Sequence, residues 1–420
     1  MSFGSQVGGY FLETCQEVSD NETDWTGILQ EKKAERWRCI KVYGVAVPPY
    51  RRGYQNEGHS SSQVDQPAGP ISSASEIASA RKFCLDTLRK YDTPSSLLLP
   101  YIPGHARDAY IALRAFNIEV ARTADTTSTP TIGAMRLQFQ RDAVSKSLAG
   151  SPPKQPIAIC LAKAVEDLAY RTDGRSKFSR SWFMRIVDTR EKYLPNPPYP
   201  SLASLESYAE NTYSTLLYLT LQALPMASLT ADHVASHIGK ATGIAAVLRG
   251  LPLIAFPRST NTHNNQSGFA AGDVGATRHG AVTLPLDIMS EAGVREEDVL
   301  RNGSNAHGLR DAIFQVATRA NDHLITARQM LDSIRKGEDA GHEFEHLDEE
   351  EHNYLPSSRD KETQSQEMER AFGVFMPAIA TQLWLDRLQK HDFDVFEPKL
   401  RMTDWKLPWR AFWAWNRRKM

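Results

Sequence analysis

An all-α fold is predicted by three observations. Apolar residues recur at three- and four-residue spacing in one segment after another between residues 73 and 398. No segment shows the apolar–polar alternation and regular turn spacing of a β-sheet protein. A helix-start signature also stands where the periodicity begins: Ser73-Ala74-Ser75-Glu76 fits a capping box, in which a serine hydroxyl and a glutamate three positions on satisfy each other's backbone amides.

Each element follows from the same period. Ile77, Ala80, Cys84 and Leu88 continue the helix opened at Ser73. Ala109, Ala112, Leu113, Phe116 and Val120 mark the next, Ile132, Met135 and Phe139 another, and Ile157, Leu161 and Val165 a fourth. Further helices are predicted over 178–191, 204–224, 231–248, 308–333 and 369–389. The stretch 211–231 carries no charge and is long enough to span a bilayer, but its Asn, Gln, Ser, Thr and Pro225 identify a buried helix. Gly239 and Gly243 form a G-x-x-x-G pair, which in a soluble bundle means close helix packing.

The 420 residues carry 49 Lys+Arg against 50 Asp+Glu, a net charge of -1 that gives no support for a nucleic-acid partner. That neutrality is a cancellation. Residues 1–30 contain five acids and no Lys or Arg, residues 31–60 seven bases and three acids, residues 337–369 twelve acids and two bases, and residues 399–420 seven bases and one acid. Residues 1–72, rich in Gly, Ser, Gln and Pro, are read as a disordered leader. Within it Arg36, Arg38, Lys41, Arg51 and Arg52 alternate with Trp37, Val42, Tyr43 and Tyr50, the composition of a mitochondrial transit peptide and equally of a solvated basic linker. Residues 257–280 and 337–368 read as flexible inserts in the helical domain at 73–398. Four dispersed cysteines without C-x-x-C indicate neither a disulfide framework nor a cysteine zinc site.

His342-Glu343-Phe344-Glu345-His346 has the H-E-x-x-H spacing of zinc proteases, with His352 near a third-ligand position. Its acidic surroundings and Glu349 in place of the expected glycine argue against a catalytic zinc. His233 and His237 stand four apart on a helix, with no third ligand evident in the sequence, and read as ordinary core or surface histidines. The sequence contains no P-loop, no G-x-S-x-G and no dinucleotide fingerprint.

Leu113-Arg114-Ala115-Phe116-Asn117-Ile118-Glu119, Ser207-Tyr208-Ala209-Glu210-Asn211, His237-Ile238-Gly239-Lys240-Ala241 through Leu248-Arg249, and Leu284-Pro285-Leu286-Asp287 occur in that order. On these residues the chain resembles the squalene/phytoene synthase family over roughly 80–400. Thr131-Ile132-Gly133-Ala134-Met135-Arg136, Ile186-Val187-Asp188 and His391-Asp392-Phe393-Asp394-Val395-Phe396 are closest to its mitochondrial branch concerned with respiratory complex I assembly. The resemblance implies an isoprenoid-synthase-type helical bundle around a central cavity. Family synthases hold Mg²⁺ and substrate diphosphates between two Asp-rich helices. The corresponding positions here are Ala121 and Asp125 on the first helix and Gly250 and Ile254 on the second, so one carboxylate of the set remains. Gly243 and Ala246 replace the family's Gln and Asn, and Ala281 and Thr283 its Arg and Tyr.

The resemblance therefore implies a pseudoenzyme without catalytic residues, metal or cofactor, acting as an assembly factor on the matrix side of the inner mitochondrial membrane. Its implied partners are complex I subunits or other assembly factors and the membrane surface. The alternative is a residual prenyl-diphosphate-using transferase or an isoprenoid- or lipid-binding protein, with Phe116, Glu119, Tyr208, Asn211 and Arg249 as candidate cavity residues. Residues 399–420 hold Trp405, Trp409, Trp413 and Trp415, half of the chain's 8 tryptophans, beside Lys406, Arg410, Arg417, Arg418 and Lys419. Trp405, Trp409, Arg410, Trp413 and Trp415 are candidates for membrane contact; a helix docked on the bundle is the other reading.

Overall fold

The computed structural model describes residues 73–127, 129–257, 280–338, 341–346, 349–352 and 364–420. The transit-peptide-like segment and most of the 257–280 insert lie outside the described residues. The capping box is present: Ser73 N–H donates to Glu76 Oε2 (2.9 Å) and Glu76 N–H to Ser73 Oγ (3.3 Å). Helix α1 (Ala74–Tyr91) buries Ala80, Cys84 and Leu88 against α3 (Arg107–Ala121), with the short α2 (Thr93–Leu98) between them. Next come α4 (Thr123–Thr126), α5 (Pro130–Leu148), α6 (Pro156–Thr172) and α7 (Arg180–Lys192). Helix α6 closes a layer with α1 and α3, and α5 packs on α6 and α7.

Ile132, Met135 and Phe139 of α5 are on a helix but face solvent, while Gly133, Leu137, Gln140, Ala143 and Val144 are buried. Helix α5 has apolar side chains on both sides, so spacing reveals the helix without revealing its buried face.

The stretch predicted as one helix over 204–224 contains α8 (Leu202–Ala209), a π turn at Glu210–Ser214 and α9 (Thr215–Ala223). It is buried along most of its length, and a segment apolar all round has no phase from which a widened turn could be read. Helix α10 (Leu229–Ala255) runs through the middle of the molecule, in contact with α8, the π turn and α9. It continues past the predicted end at Leu248, through Pro252, to Ala255. Alone among the described helices it is long and apolar enough to cross a membrane, but most of that window is buried in the bundle, and buried Asp232, His233 and Lys240 lie along it. Two glycines admit this packing. A Cβ at Gly239 would overlap the backbone of Ser214, and one at Gly243 would stand 2.5 Å from Ala209 Cβ.

After α11 (Leu286–Glu291) and α12 (Glu296–Asn302), the long α13 (Leu309–Lys336) covers α10 more extensively than any other element. The acidic insert departs from the expectation of a flexible loop. Its described part folds back on the bundle, burying Phe344 and His352 to 8% and 1% exposure. His352 Nδ1 lies 2.9 Å from Asp232 Oδ2, and its ring packs on Tyr218 and Trp182. Arg185 pairs with Glu349 (2.8 Å) and Glu351 (3.5 Å), so body cations compensate the insert's charge.

The predicted helix over 369–389 is two, α14 (Gln364–Phe375) and α15 (Pro377–Lys390), because Pro377 has no amide to continue the ladder and instead opens α15. Helix α16 (Leu407–Arg417) then docks on α2 and α15 through Leu407, Ala411 and Ala414.

Candidate functional site

The four degenerate motif positions converge. Ala121 and Asp125 from the end of α3 and from α4, and Gly250 and Ile254 from α10, line one cavity of about 220 Å³. Four-residue spacing puts Gly250 and Ile254 on one face of α10, and the turn at Arg122 between α3 and α4 keeps Asp125 with Ala121 on the cavity side. Ala246 and Thr283, at two further exchanged positions, line it as well. Gly243 lies instead in the contact with Ala209 and Tyr213, where a Gln side chain has no room. The Leu-Pro-Leu-Asp segment shapes the same wall: Leu286 N–H donates to Tyr199 O (2.9 Å), and Asp287 accepts from Leu202 N–H at the start of α8 (3.0 Å).

The other polar lining is aromatic and cationic. Arg190 of α7 donates to the Tyr208 hydroxyl and to Asn117 Oδ1 (3.4 Å), and its guanidinium lies over the rings of Tyr208 (5.2 Å) and Tyr213 (5.4 Å). Tyr208 and Tyr213 are five apart, and the π turn between them brings both onto the cavity side. Tyr193, Tyr199 and Tyr208 stack edge-to-face or tilted, with centroids 4.7–5.3 Å apart. Burial pushes the Tyr199 and Tyr208 phenols up and keeps them neutral. Burial works against the Arg190 charge, but the Tyr208 and Tyr213 oxygens outweigh it and hold the pKa above its ordinary value.

Of the five candidate cavity residues, Tyr208 alone lines this space. Phe116 is in the core against Phe183 (5.3 Å), and Glu119 is exposed two positions from Ala121, on nearly the opposite face of α3. Asn211 donates back to Ser207 O (2.8 Å) from the π turn. Arg249, one position from Gly250, lies over Trp384 (5.8 Å) in a neighbouring groove. Sequence reasoning missed Arg190, Tyr193, Tyr199 and Tyr213. The available signal was the density of tyrosine: four of the chain's 14 fall between 193 and 213.

These residues do not fit the family's Mg²⁺ cluster. Asp125 is the lone carboxylate among the described lining residues, whereas Mg²⁺ bound with diphosphate needs several carboxylates to fix it. The cavity is also small beside the ~300–1,000 Å³ of drug-sized ligand pockets. It offers one cation and a row of neutral phenols, which suits a polar or anionic group on an apolar stem.

Trp405, just before α16, and Trp409 and Trp413 on it are 65%, 51% and 53% exposed, the latter two on the side of Phe412 and Arg410. Trp415 does not belong with them. It turns inward against Tyr101 (5.5 Å) and Phe372 (6.2 Å), with Arg418 over its ring (3.7 Å), because it sits next to Ala414 on the docked side.

The fold has a counterpart among solved structures, and the sequence has relatives among known proteins. A rat protein named NADH dehydrogenase (ubiquinone) complex I, assembly factor 6, is 34% identical over 343 residues, 81% of this chain and 84% of the relative. The human protein of that name is 35% identical over 326 residues, 78% and 79% of the two chains. The homolog in Drosophila melanogaster is 32% identical over 333 residues, 79% and 82%. A crystal structure of a dehydrosqualene synthase in complex with ligand superposes with a TM-score of 0.56 at 12% identity, covering 82% of this chain and 98% of the other, a likeness of fold. The squalene/phytoene synthase model itself matches residues 88–259 and 270–412, so the cavity positions lie within the match and the chain belongs to that family.

Proposed function

We propose that this protein is a mitochondrial assembly factor for respiratory complex I that retains the synthase bundle without synthase chemistry. The carrying observation is the pairing of two facts. Relatives covering about four-fifths of the chain bear the complex I assembly factor 6 name, and three of the four metal-carboxylate positions in the cavity are Ala121, Gly250 and Ile254. One remaining carboxylate cannot supply the field that stabilises a departing diphosphate. Its partners on this reading are complex I subunits or other assembly factors, and it works on the matrix side of the inner membrane. The exposed Trp405, Trp409 and Trp413 with Arg410 suit an anionic bilayer surface, since interfacial Trp and basic side chains share that environment.

Deleting the gene and following complex I by native gel and activity tests the reading. Loss of the complex, rescued equally by the wild type and by Asp125→Ala, is expected. Normal complex I in the deletion strain, or Asp125-dependent turnover of prenyl diphosphates by the purified chain, refutes it.

A second reading, binding of an isoprenoid or lipid with an anionic head, is favoured by Arg190 Nε, which is buried in the cavity wall without a hydrogen-bond partner. Lipid copurifying with the wild type and lost in Arg190→Leu tests it; equal lipid content in both refutes it.

A further inference from the structure

At the other end of α10 from the cavity, three imidazoles meet. His233 and His237, one turn apart, point toward His342, which reaches them from the described part of the acidic insert. His342 Nε2 lies 3.0 Å from His233 Nε2 and 3.0 Å from His237 Nε2, and one ligand atom from each residue falls within 4.8 Å of the others. Nitrogens about 2.0–2.1 Å from a tetrahedral zinc ion stand roughly 3.3 Å from one another, close to the arrangement here. His237 and Gly250 are separated by about 20 Å along the helix axis, so this cluster is distinct from the cavity.

Hydrogen bonds behind the cluster decide where the lone pairs point. Glu206 accepts from His323 Nε2 (2.7 Å) and from Arg319 Nε (2.6 Å). A carboxylate can only accept, so the neutral ring of His323 carries its proton on Nε2 and presents a lone pair at Nδ1. His237 Nδ1, 2.9 Å away, donates to it. His237 therefore holds a free lone pair on Nε2, aimed at His342. This Glu–His–His chain is the outer-shell arrangement that orients metal-binding imidazoles. The ammonium of Lys240, one turn along α10 from His237, is paired with Glu345.

We propose that His233, His237 and His342 form a zinc site whose ion fastens residues 341–346 to the amino-terminal half of α10. Three nitrogen ligands without a carboxylate select a borderline transition ion over Mg²⁺ or Ca²⁺. His342 is exposed, which leaves the fourth position open to water. His346, the second histidine of the H-E-x-x-H spacing, is not a ligand: it lies 3.0 Å from Glu349 and 3.6 Å from Glu210, and residues 341–346 are not helical. The insert does supply a histidine to a metal site, with partners more than a hundred positions away that its own spacing did not reveal.

The test uses the full chain without an affinity tag, stripped with chelator and titrated with Zn²⁺ by calorimetry, then with Co²⁺ to read tetrahedral visible bands. One zinc per chain is expected. His342→Ala, a surface change, should weaken binding at least about tenfold and remove the Co²⁺ bands, Glu206→Gln should weaken it about 10–100-fold through misorientation of His237, and His346→Ala should leave it intact. Circular dichroism establishes that each variant is folded. No zinc uptake by the wild type, or equal affinity in His342→Ala, overturns the proposal.

Discussion

Replacing Gly239 by alanine introduces one methyl group where α10 meets the π turn. Three atoms of Ser214, two of them backbone, lie inside the 3.0 Å that real Cβ atoms do not cross. Backbone in a hydrogen-bonded turn cannot rotate away as a side-chain tip can, so α10 and the turn must separate. Overpacking of this kind costs about 1–3 kcal/mol, occasionally more. Alanine also gains ~1 kcal/mol over glycine in a helix interior, which sets the net loss at up to about 2 kcal/mol. Gly250→Ala on the same helix is the control: the nearest atom to its Cβ is Ile254 Cδ1 at 4.0 Å, so only the helix gain of ~1 kcal/mol applies. Urea unfolding of the two variants should therefore differ by about 1–3 kcal/mol, with Gly239→Ala below wild type by up to roughly 1 M in midpoint and Gly250→Ala at or above it. Equal midpoints, or the reverse order, would refute the reasoning that the glycine is kept by the turn's backbone.

Glu206 is held down to about 2, since hydrogen bonds from His323 and Arg319 overcome the burial that would raise it. Its stabilisation is thus present above its ordinary value near 4.5 and fades as pH falls toward 2. In metal-free protein, the stability gap between wild type and Glu206→Gln should be on the order of 2–3 kcal/mol at pH 7 and shrink below pH 4.5; a gap that grows on acidification contradicts the assignment. Substituting Asp at both Trp409 and Trp413 should abolish sedimentation with anionic vesicles while leaving the melting temperature within a few degrees, because both side chains are exposed; unchanged vesicle binding removes α16 as the contact. A variant combining Ala121→Asp, Gly250→Asp and Ile254→Asp should gain Mg²⁺-dependent pyrophosphate binding by calorimetry, as all three positions line the cavity; no gain would show that carboxylates alone do not rebuild the site.

The helices were legible because an amphipathic period and a capping box are local signals. The meeting of Ala121 and Asp125 with Gly250 and Ile254 in one cavity came from the family resemblance, which sets two Asp-rich motifs opposite each other, and not from local spacing. Side-chain direction was harder. Glu119 and Arg249 are one or two positions from cavity residues and point elsewhere, because each residue turns about 100° around the axis. The meeting of His342 with His233 and His237 depends on how the chain returns after α13, and neither local charge nor spacing encodes that return. The same return buries Phe344 and His352, which the acidic composition around them concealed.

The π turn at Glu210–Ser214 makes chain length itself a structural variable in the buried centre. A surface loop tolerates the loss of a residue; here, removing one would restore a regular helix, rotate α9 by about 100° relative to α8, and separate Tyr213 from the side it shares with Tyr208. It would also withdraw Ser214 from Gly239, leaving a glycine against empty space. The widened turn and the two glycines are thus a matched set, and a single-residue deletion there should be far more damaging than most substitutions in the same helix.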